Sequence, residues 1–435
     1  MRHIKSYLVL ASACLLASCA GDKKEPLEGE RKTVFLEESK LAADPSLTSK
    51  TPSIGTPTHL EAWSMASGCP SHAVPPCEFS GKYTKTWSNS VGAGSAGNAR
   101  LINGPVAAEG KVFTVDTKGV VYATSLKNGD KVWSTDSTPD NTSSQPFSGG
   151  LAYEAGLVFV STPSAEVVIL DAKTGKIQKR LSLTAPVRAA PTVQNGLLYV
   201  VTINNQLEVF DYTSGEPLWS HNGMLENAGL LGGSSPALDQ GVVVVPYTSG
   251  EVYALQGQNG TPLWSESLTS FNRLDSVSSI FHIKARPVIY NQMVFLISHG
   301  GQMRALDLRS GETKWLKDVG GIRSPAVSGN ALFMVTNTND LVCLECASGK
   351  IFWSQKLPMF KDGDSKSDAV MWAGPILVND QLVLAGSHGK ALVINASTGQ
   401  TVKELSLPHR TSLSPIAVDG HVVFFTDDAE LVAFN

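Results

Sequence analysis

Few residues of this 435-residue chain stand at spacings that could do chemistry. Gly92-Ala93-Gly94-Ser95-Ala96-Gly97 matches G-x-G-x-x-G, whose glycines let a backbone approach a dinucleotide's pyrophosphate. That use needs a strand before it, a helix after it and a downstream acid. Here Leu101–Val106 opens a strand-like run and no helical period follows, so the stretch reads as a flexible connection. Ser298-His299-Gly300 and Ser387-His388-Gly389 twice set a hydroxyl beside an imidazole. No carboxylate adjoins either to complete a triad, and turn composition accounts for both. Cys343-Leu344-Glu345-Cys346 has the spacing of a redox or zinc pair. In a strand, however, residues three apart lie ~10 Å from each other on opposite faces, beyond the ~7 Å that a disulfide spans. No second Cys pair or His pair completes a zinc site. Core packing is the favoured reading, and nothing else in the chain calls for enzyme chemistry.

What would position any such residue is a repeat. Met303-Arg304-Ala305-Leu306 reads as an apolar strand, Asp307-Leu308-Arg309-Ser310-Gly311 as a tight turn, and Thr313-Lys314-Trp315 as a second strand. The phrase recurs with its turn glycine at Gly129, Gly175, Gly215, Gly260, Gly311, Gly349 and Gly399, and an eighth, shortened copy begins at Glu430-Leu431. Glycine closes such turns because it adopts φ > 0 without strain. Ser125, Asp171, Asp211, Gln256, Asp307, Glu345 and Asn395 precede these glycines by four, where a side chain can bond the turn backbone. Four residues after the glycine stand Trp133, Trp219, Trp264, Trp315 and Trp353, with Lys179 and Lys403 as exceptions. A recurring indole of this kind wedges between neighbouring sheets.

Each unit holds four strand-like runs, the first opened by Pro105, Pro191, Pro236, Pro287, Pro325, Pro375 or Pro415, and in the second unit by Gly149-Gly150. A strand's first residue need not donate to the ladder, so proline is tolerated there. Four antiparallel strands repeated eight times predict an all-β, eight-bladed β-propeller rather than a sandwich. Lys82–Trp87 matches an outer strand without partners of its own. It is expected to pair with Leu431–Phe434, so that an N-terminal strand closes the last blade. One face then carries only tight turns, such as Glu109-Gly110 and Thr174-Gly175. The other carries the long insertions Ser134–Gly149, Ser220–Ser235, Ser265–Arg286 and Gln355–Ala373. Length variation on one face is where function is expected.

Charged residues make up 17%, the net charge is −4 and no Lys/Arg-rich run appears, which disfavours nucleic acid as a partner. Residues 1–18 read as a signal peptide: a basic start at Arg2 and Lys5, then an apolar stretch from Tyr7 to Ala17, too short to span a bilayer. Leu16-Ala17-Ser18-Cys19 resembles the lipobox of bacterial lipoproteins. That resemblance implies lipidation of Cys19 and, with Ala20 rather than Asp after it, placement at the outer membrane facing the periplasm. Residues 19–80 read as a polar tether with a partly packed end, and 81–435 as the propeller. Cys69 and Cys77 bracket Pro70–Pro76, a loop that a disulfide could close in an exported protein.

Ala305-Leu306-Asp307, Ser310-Gly311 and Trp315 resemble the tryptophan-docking motif of quinoprotein dehydrogenases. That would imply pyrroloquinoline quinone and Ca²⁺, but the vicinal Cys pair usual in those enzymes is absent. Lipobox, tether and eight plain blades together resemble the BamB family, as does the opening Trp63, His72, Trp87-Ser88, Gly92-Ala93-Gly94 and Pro105-Val106. The resemblance covers nearly the whole chain. It implies a non-enzymatic lipoprotein scaffold without cofactor or metal, working in outer-membrane β-barrel assembly. Such a scaffold docks on the periplasmic repeat domain of the central barrel protein and assists insertion of nascent barrel proteins. In that family the partner surface lies on loops ahead of adjacent blades, one with a Leu-x-Leu-Arg run and the next with Asp-x-Asp. The matching loops here are Ala228–Pro236 and His282–Pro287. They imply Leu230, Leu231, His282, Lys284 and Arg286 as partner-binding residues. Leu231 replaces the Arg, and His282 and Lys284 replace the two Asp, so that charge network cannot form. Burial in the fold is the competing account of Leu230 and Leu231. A lipoprotein propeller binding some other periplasmic or cell-wall partner is the remaining alternative.

Overall fold

The computed structural model divides into Met1–Lys40 and Leu41–Asn435. It describes residues 41–139, 149–225, 232–268, 283–362 and 367–435, all in the second unit. Cys19, Leu230, Leu231 and His282 lie outside the described residues.

The fold is an eight-bladed β-propeller. Eight four-stranded antiparallel sheets follow one another, with a two-stranded hairpin, Phe360–Asp362 with Ser367–Ala369, between the sixth and seventh. Blade 1 runs outward through Val106–Ala108, Lys111–Val115, Val120–Ser125 and Lys131–Asp136. Its three inner strands are apolar on both faces because each sheet is sandwiched between neighbours. The outermost strand buries essentially one residue, Trp133. Blade 8 takes Ile416–Val418, His421–Phe425 and Glu430–Phe434 from the end of the chain and its outer strand, Lys85–Ser90, from the beginning. Trp87 stands opposite Ala433 in that ladder.

Packing between blades follows the turn glycines. A Cβ on Gly129 would strike Trp87 of blade 8, one on Gly175 would strike Trp133, and one on Gly311 would strike Trp264. Each indole lies flat on the next blade's turn, which needs glycine both for its positive φ and for this contact. The indole N–H then donates to a carbonyl in that turn: Trp87 to Leu126, Trp133 to Ala172, Trp264 to Leu308, Trp315 to Cys346 and Trp353 to Ala396. The turns are braced from within. Asp307 Oδ1 accepts from the backbone N–H groups of Arg309 and Ser310 at 3.0 and 2.9 Å, which holds its carboxyl below the usual range.

The two lysine exceptions obey the same geometry. Lys179 donates to Tyr212 and Thr213 carbonyls of blade 3, and Lys403 to those of Lys82 and Tyr83. Residues across the ladder differ in step with this. Ala123, Ala254, Ala305, Ala433 and Cys343 face tryptophans, whereas Ile169 and Val393 face the lysines. A small partner leaves room for an indole and a branched one fills the space it vacates. Trp219 is intermediate: it faces Val209, and the carbonyl it would reach, on Gly257, is taken by the Tyr199 hydroxyl at 3.0 Å. Its own N–H has no partner among the described residues.

Packing begins earlier than the sequence composition suggests. Asp44 caps a short 3-10 turn, Pro45–Leu47, and its N–H donates to Ile351 of blade 6 at 2.8 Å. Leu47 is buried in the cluster that holds Phe352. Farther on, the chain crosses the inner strands: Trp63 exchanges backbone hydrogen bonds with Ala107 at 2.7 and 2.9 Å. Pro70 and Ser71 carbonyls accept from Leu238 and Ile289, while Cys77 bonds Leu377 and Asn379. These contacts satisfy backbone groups that the innermost edges would otherwise leave unpaired. From Leu41 onward the segment expected as a tether is therefore a packed arm. The expected disulfide is not made: Cys69 and Cys77 are free thiols with different partners. Cys69 Sγ lies 3.4 Å from Ser71 Oγ, whereas Cys77 is buried between Thr58 and Val378. Cys343 and Cys346 are likewise free and buried, and burial pushes the Cys346 thiol up to about 12.

Candidate functional site

With each blade's strands lettered A to D from the channel outward, the arm meets the propeller at the A–B turns: Asn330 Oδ1 accepts from Ser53 N, and the Leu60 carbonyl accepts from Asp419 N. It therefore floors the central channel from the short-turned face. The connections between blades enter the channel from the opposite face. The resulting cavity holds about 1000 Å³ counting the part open to solvent. Trp63, Ser67 and His72 line its floor, and Lys284, Arg286 and Arg323 its wall.

Two of the expected partner-binding residues are described, and both point into this channel. Lys284 and Arg286 lie just ahead of Pro287, half-buried. Arg286 is held by Ser67 Oγ, Asn103 Oδ1 and Ser235 Oγ, each at 3.4 Å, and its backbone N–H donates to Ser324 Oγ at 2.9 Å. Burial, with Arg323 nearby, lowers its guanidinium to about 10. Arg323 Nε donates to the Trp372 carbonyl at 3.2 Å. Sequence reasoning missed Arg323, although the signal was present. It precedes Pro325 by two, within the same short span in which Lys284 and Arg286 precede Pro287 by three and one, and all three line the channel.

Exposed apolar side chains mark the outer part of the same face. Met224 and Leu225, 61% and 75% exposed, begin the long connection between blades 3 and 4, and Ile203 stands beside them on a B–C turn. Met359 and Met371 flank the hairpin between blades 6 and 7. The Met224 backbone is fixed from both sides: its N–H donates to Glu251 Oε2, and its carbonyl accepts from Asn205 Nδ2. Held apolar groups in solvent are what a protein partner recognises.

The other sequence candidates fall into structural positions. The Gly92–Gly97 stretch is a held connection rather than a flexible one. Ala93 N–H donates to Asp116 Oδ2, Ser95 N–H donates to the Asp427 carbonyl, and a Cβ on Gly94 would strike the backbone of Asp428. His388 stands edge-on to Trp372 with ring centroids 5.2 Å apart, and burial pulls its imidazole below the usual range. The His299 carbonyl accepts from Asn337 Nδ2. Neither imidazole forms an ion pair with a carboxylate among the described residues. The calcium of a quinoprotein dehydrogenase needs several carboxylate or carbonyl oxygens. Among the described residues no group of three or more His, Cys, Asp and Glu could hold a metal, and the channel wall is cationic. The residues do not fit that cofactor set.

Comparison with known proteins adds the family. The family model described as outer membrane protein assembly factor BamB matches residues 117–355. Outer membrane protein assembly factor BamB of Yersinia pestis is 25% identical over 358 residues, covering 81% of this chain and 88% of that protein. The crystal structure of BamB from Moraxella catarrhalis superposes with a TM-score of 0.69 at 15% identity, over 81% of this chain and 99% of that one. A europium-containing methanol dehydrogenase superposes with a TM-score of 0.68 at 14% identity, over 86% and 89%. At such identities the solved structures bear on the fold alone.

Proposed function

This chain belongs to the BamB family of outer membrane protein assembly factors, and from that premise we propose that it is a non-enzymatic docking scaffold for outer-membrane β-barrel assembly. It is held to the membrane by lipid on Cys19, faces the periplasm and binds the periplasmic repeat domain of the central barrel protein. Nascent barrel proteins are its indirect clients. The observation that carries the docking reading is the long connections on one face of the ring together with the exposed Met224 and Leu225 that begin one of them, the Met224 backbone being held by Glu251 and Asn205. These residues begin the same connection that carries Leu230 and Leu231. Lys284 opens at the channel mouth beside it, and His282 lies on the next connection. Arg286, engaged with Ser67, Asn103 and Ser235, shapes that mouth rather than reaching out from it.

The test is site-specific photocrosslinking in native membranes. A photoreactive residue at Met224 or Leu225 should capture the central barrel-assembly protein, whereas one at Val402, an exposed outer-strand residue of blade 7, should not. Equal capture from both positions, or no barrel-assembly component from either, would overturn the assignment. Lipid attachment has its own readout: Cys19→Ala should release the protein from membranes washed in high salt.

A further inference from the structure

The central channel gathers positive charge that its own lining does not neutralise. Lys284 and Arg286 enter from the connection between blades 4 and 5, and Arg323 from the one between blades 5 and 6. Among the described residues none of the three forms an ion pair with a carboxylate. Arg286 has only neutral side-chain partners, at hydrogen-bond distances of 3.4 Å, and Arg323 donates to a carbonyl. The three repel one another. Burial first, then Arg323 and Arg286, bring the Lys284 ammonium down to about 8. Taking cations out of water is costly unless opposite charge compensates.

The floor of the same cavity offers an unused donor. Trp63 is 4% exposed, lines the cavity, and its indole N–H has no acceptor among the described residues. Beside it His72 Nδ1 meets the Pro287 carbonyl at 2.8 Å, so it carries the proton and Nε2 keeps a free lone pair. A carbonyl or hydroxyl ligand would answer one of these groups. Only a ligand with several anionic oxygens answers three cations and an indole donor together.

We propose that the channel binds a small multivalent oxyanion, a phosphate or polycarboxylate, clasped by Lys284, Arg286 and Arg323 and hydrogen-bonded by Trp63. The bound anion supplies counter-charge that the described lining does not, the carboxylate of Asp427 acting on Arg323 alone. The site shares Lys284 with the docking reading but lies inside the ring and needs no partner protein.

The test uses the purified full-length protein in detergent, titrated with inorganic phosphate or with citrate while sodium chloride holds ionic strength constant. Thermal unfolding and calorimetry follow binding. A saturable rise in Tm and a one-site isotherm are expected with at least one of the two. Response to phosphate alone assigns phosphoryl chemistry, and response to citrate alone assigns carboxylate chemistry. Lys284→Gln should weaken binding about tenfold, the worth of one charge-assisted hydrogen bond, and Lys284→Arg should restore much of it. Lys131→Gln, a change on an exposed outer strand, should have no effect. No response beyond that of sodium chloride, or equal weakening by Lys284→Gln and Lys131→Gln, overturns the proposal. Arg286 is left untouched because its bonds also hold the channel wall.

Discussion

The ammonium of Lys403 donates a hydrogen bond of 2.6 Å to the carbonyl oxygen of Lys82. It joins blade 7 to the N-terminal strand of blade 8 where other blades use an indole. The preceding exception, Lys179, reaches the Thr213 carbonyl at 2.7 Å in the same way. Two chemistries thus serve one joint, and the small facing residues, Ala and Cys, stand only opposite tryptophans among the described blades.

That relation predicts a compensated swap. Lys179→Trp should be destabilised by about 1–3 kcal/mol, because the indole overpacks against Ile169 opposite. Adding Ile169→Ala should recover at least half of the loss in urea denaturation, since Ala is what faces Trp133, Trp264 and Trp315. A double variant no more stable than the single one would refute the size-matching account.

Trp219 and Trp264 should respond unequally to loss of the indole N–H. Trp264→Phe removes a bond of 2.9 Å and orphans the Leu308 carbonyl, at a cost of about 1–3 kcal/mol beyond the lost ring area. Trp219→Phe loses no hydrogen bond, so only the smaller ring counts, whereas Tyr199→Phe should carry the penalty for the Gly257 carbonyl. Equilibrium denaturation of the three variants checks the order. Equal losses at Trp219 and Trp264 would contradict it.

Truncation should be graded. A chain beginning at Leu41 retains every contact described for the second unit and should keep its cooperative transition. One beginning at Thr58 loses the Asp44–Ile351 and Ser53–Asn330 bonds and buried Leu47, and should unfold cooperatively at lower temperature. One beginning at Gly92 lacks the outer strand of blade 8 and should show no cooperative transition by calorimetry.

His72 should make stability fall with acid. Burial, with Arg286 nearby, pulls its imidazole down to about 3 from an ordinary 6.5. Above 6.5 the unfolded imidazole is neutral too, and this contribution is fully present. As pH falls the unfolded chain binds the proton first, so stability drops by up to about 1.4 kcal/mol per pH unit until the folded imidazole protonates near 3. Between pH 7 and pH 5 the protein should therefore lose about 2 kcal/mol more than His72→Phe loses. Parallel pH profiles would show that His72 is not the responsible group.

The blades were legible because each residue of the repeat answers a local demand. Gly311 must take positive φ, Asp307 must brace its turn, and Trp315 must reach the next blade; periodicity shows all three. Ring closure was legible at Trp87, an outer-strand residue lacking partners in its own neighbourhood. The arm was not. Its hold on the propeller is made mostly by backbone groups at Trp63, Pro70, Ser71 and Cys77, and backbone bonding leaves no pattern in side-chain type. The channel was hidden for another reason: Trp63, Lys284 and Arg323 belong to different parts of the chain and meet only once the ring exists. The Cys69–Cys77 expectation failed because sequence spacing says nothing of the backbone bridges to Thr58 and Val378 that fix where Cys77 lies.

The pairing of Lys85 with Phe434 also has a consequence in time. Strand Lys85–Ser90 leaves the ribosome among the earliest parts of the propeller, yet its ladder partner is among the last. Until then Trp87 can rest on Gly129 of blade 1, but its own sheet does not exist. Closing so distant a contact is entropically slow and follows synthesis of every intervening blade. Intermediates on the way carry open sheet edges at both ends, which invite proteolysis and mispairing. A ring joined this way couples sealing to completion of the chain: one terminated before Glu430–Phe434 leaves strand Lys85–Ser90 without its ladder partner.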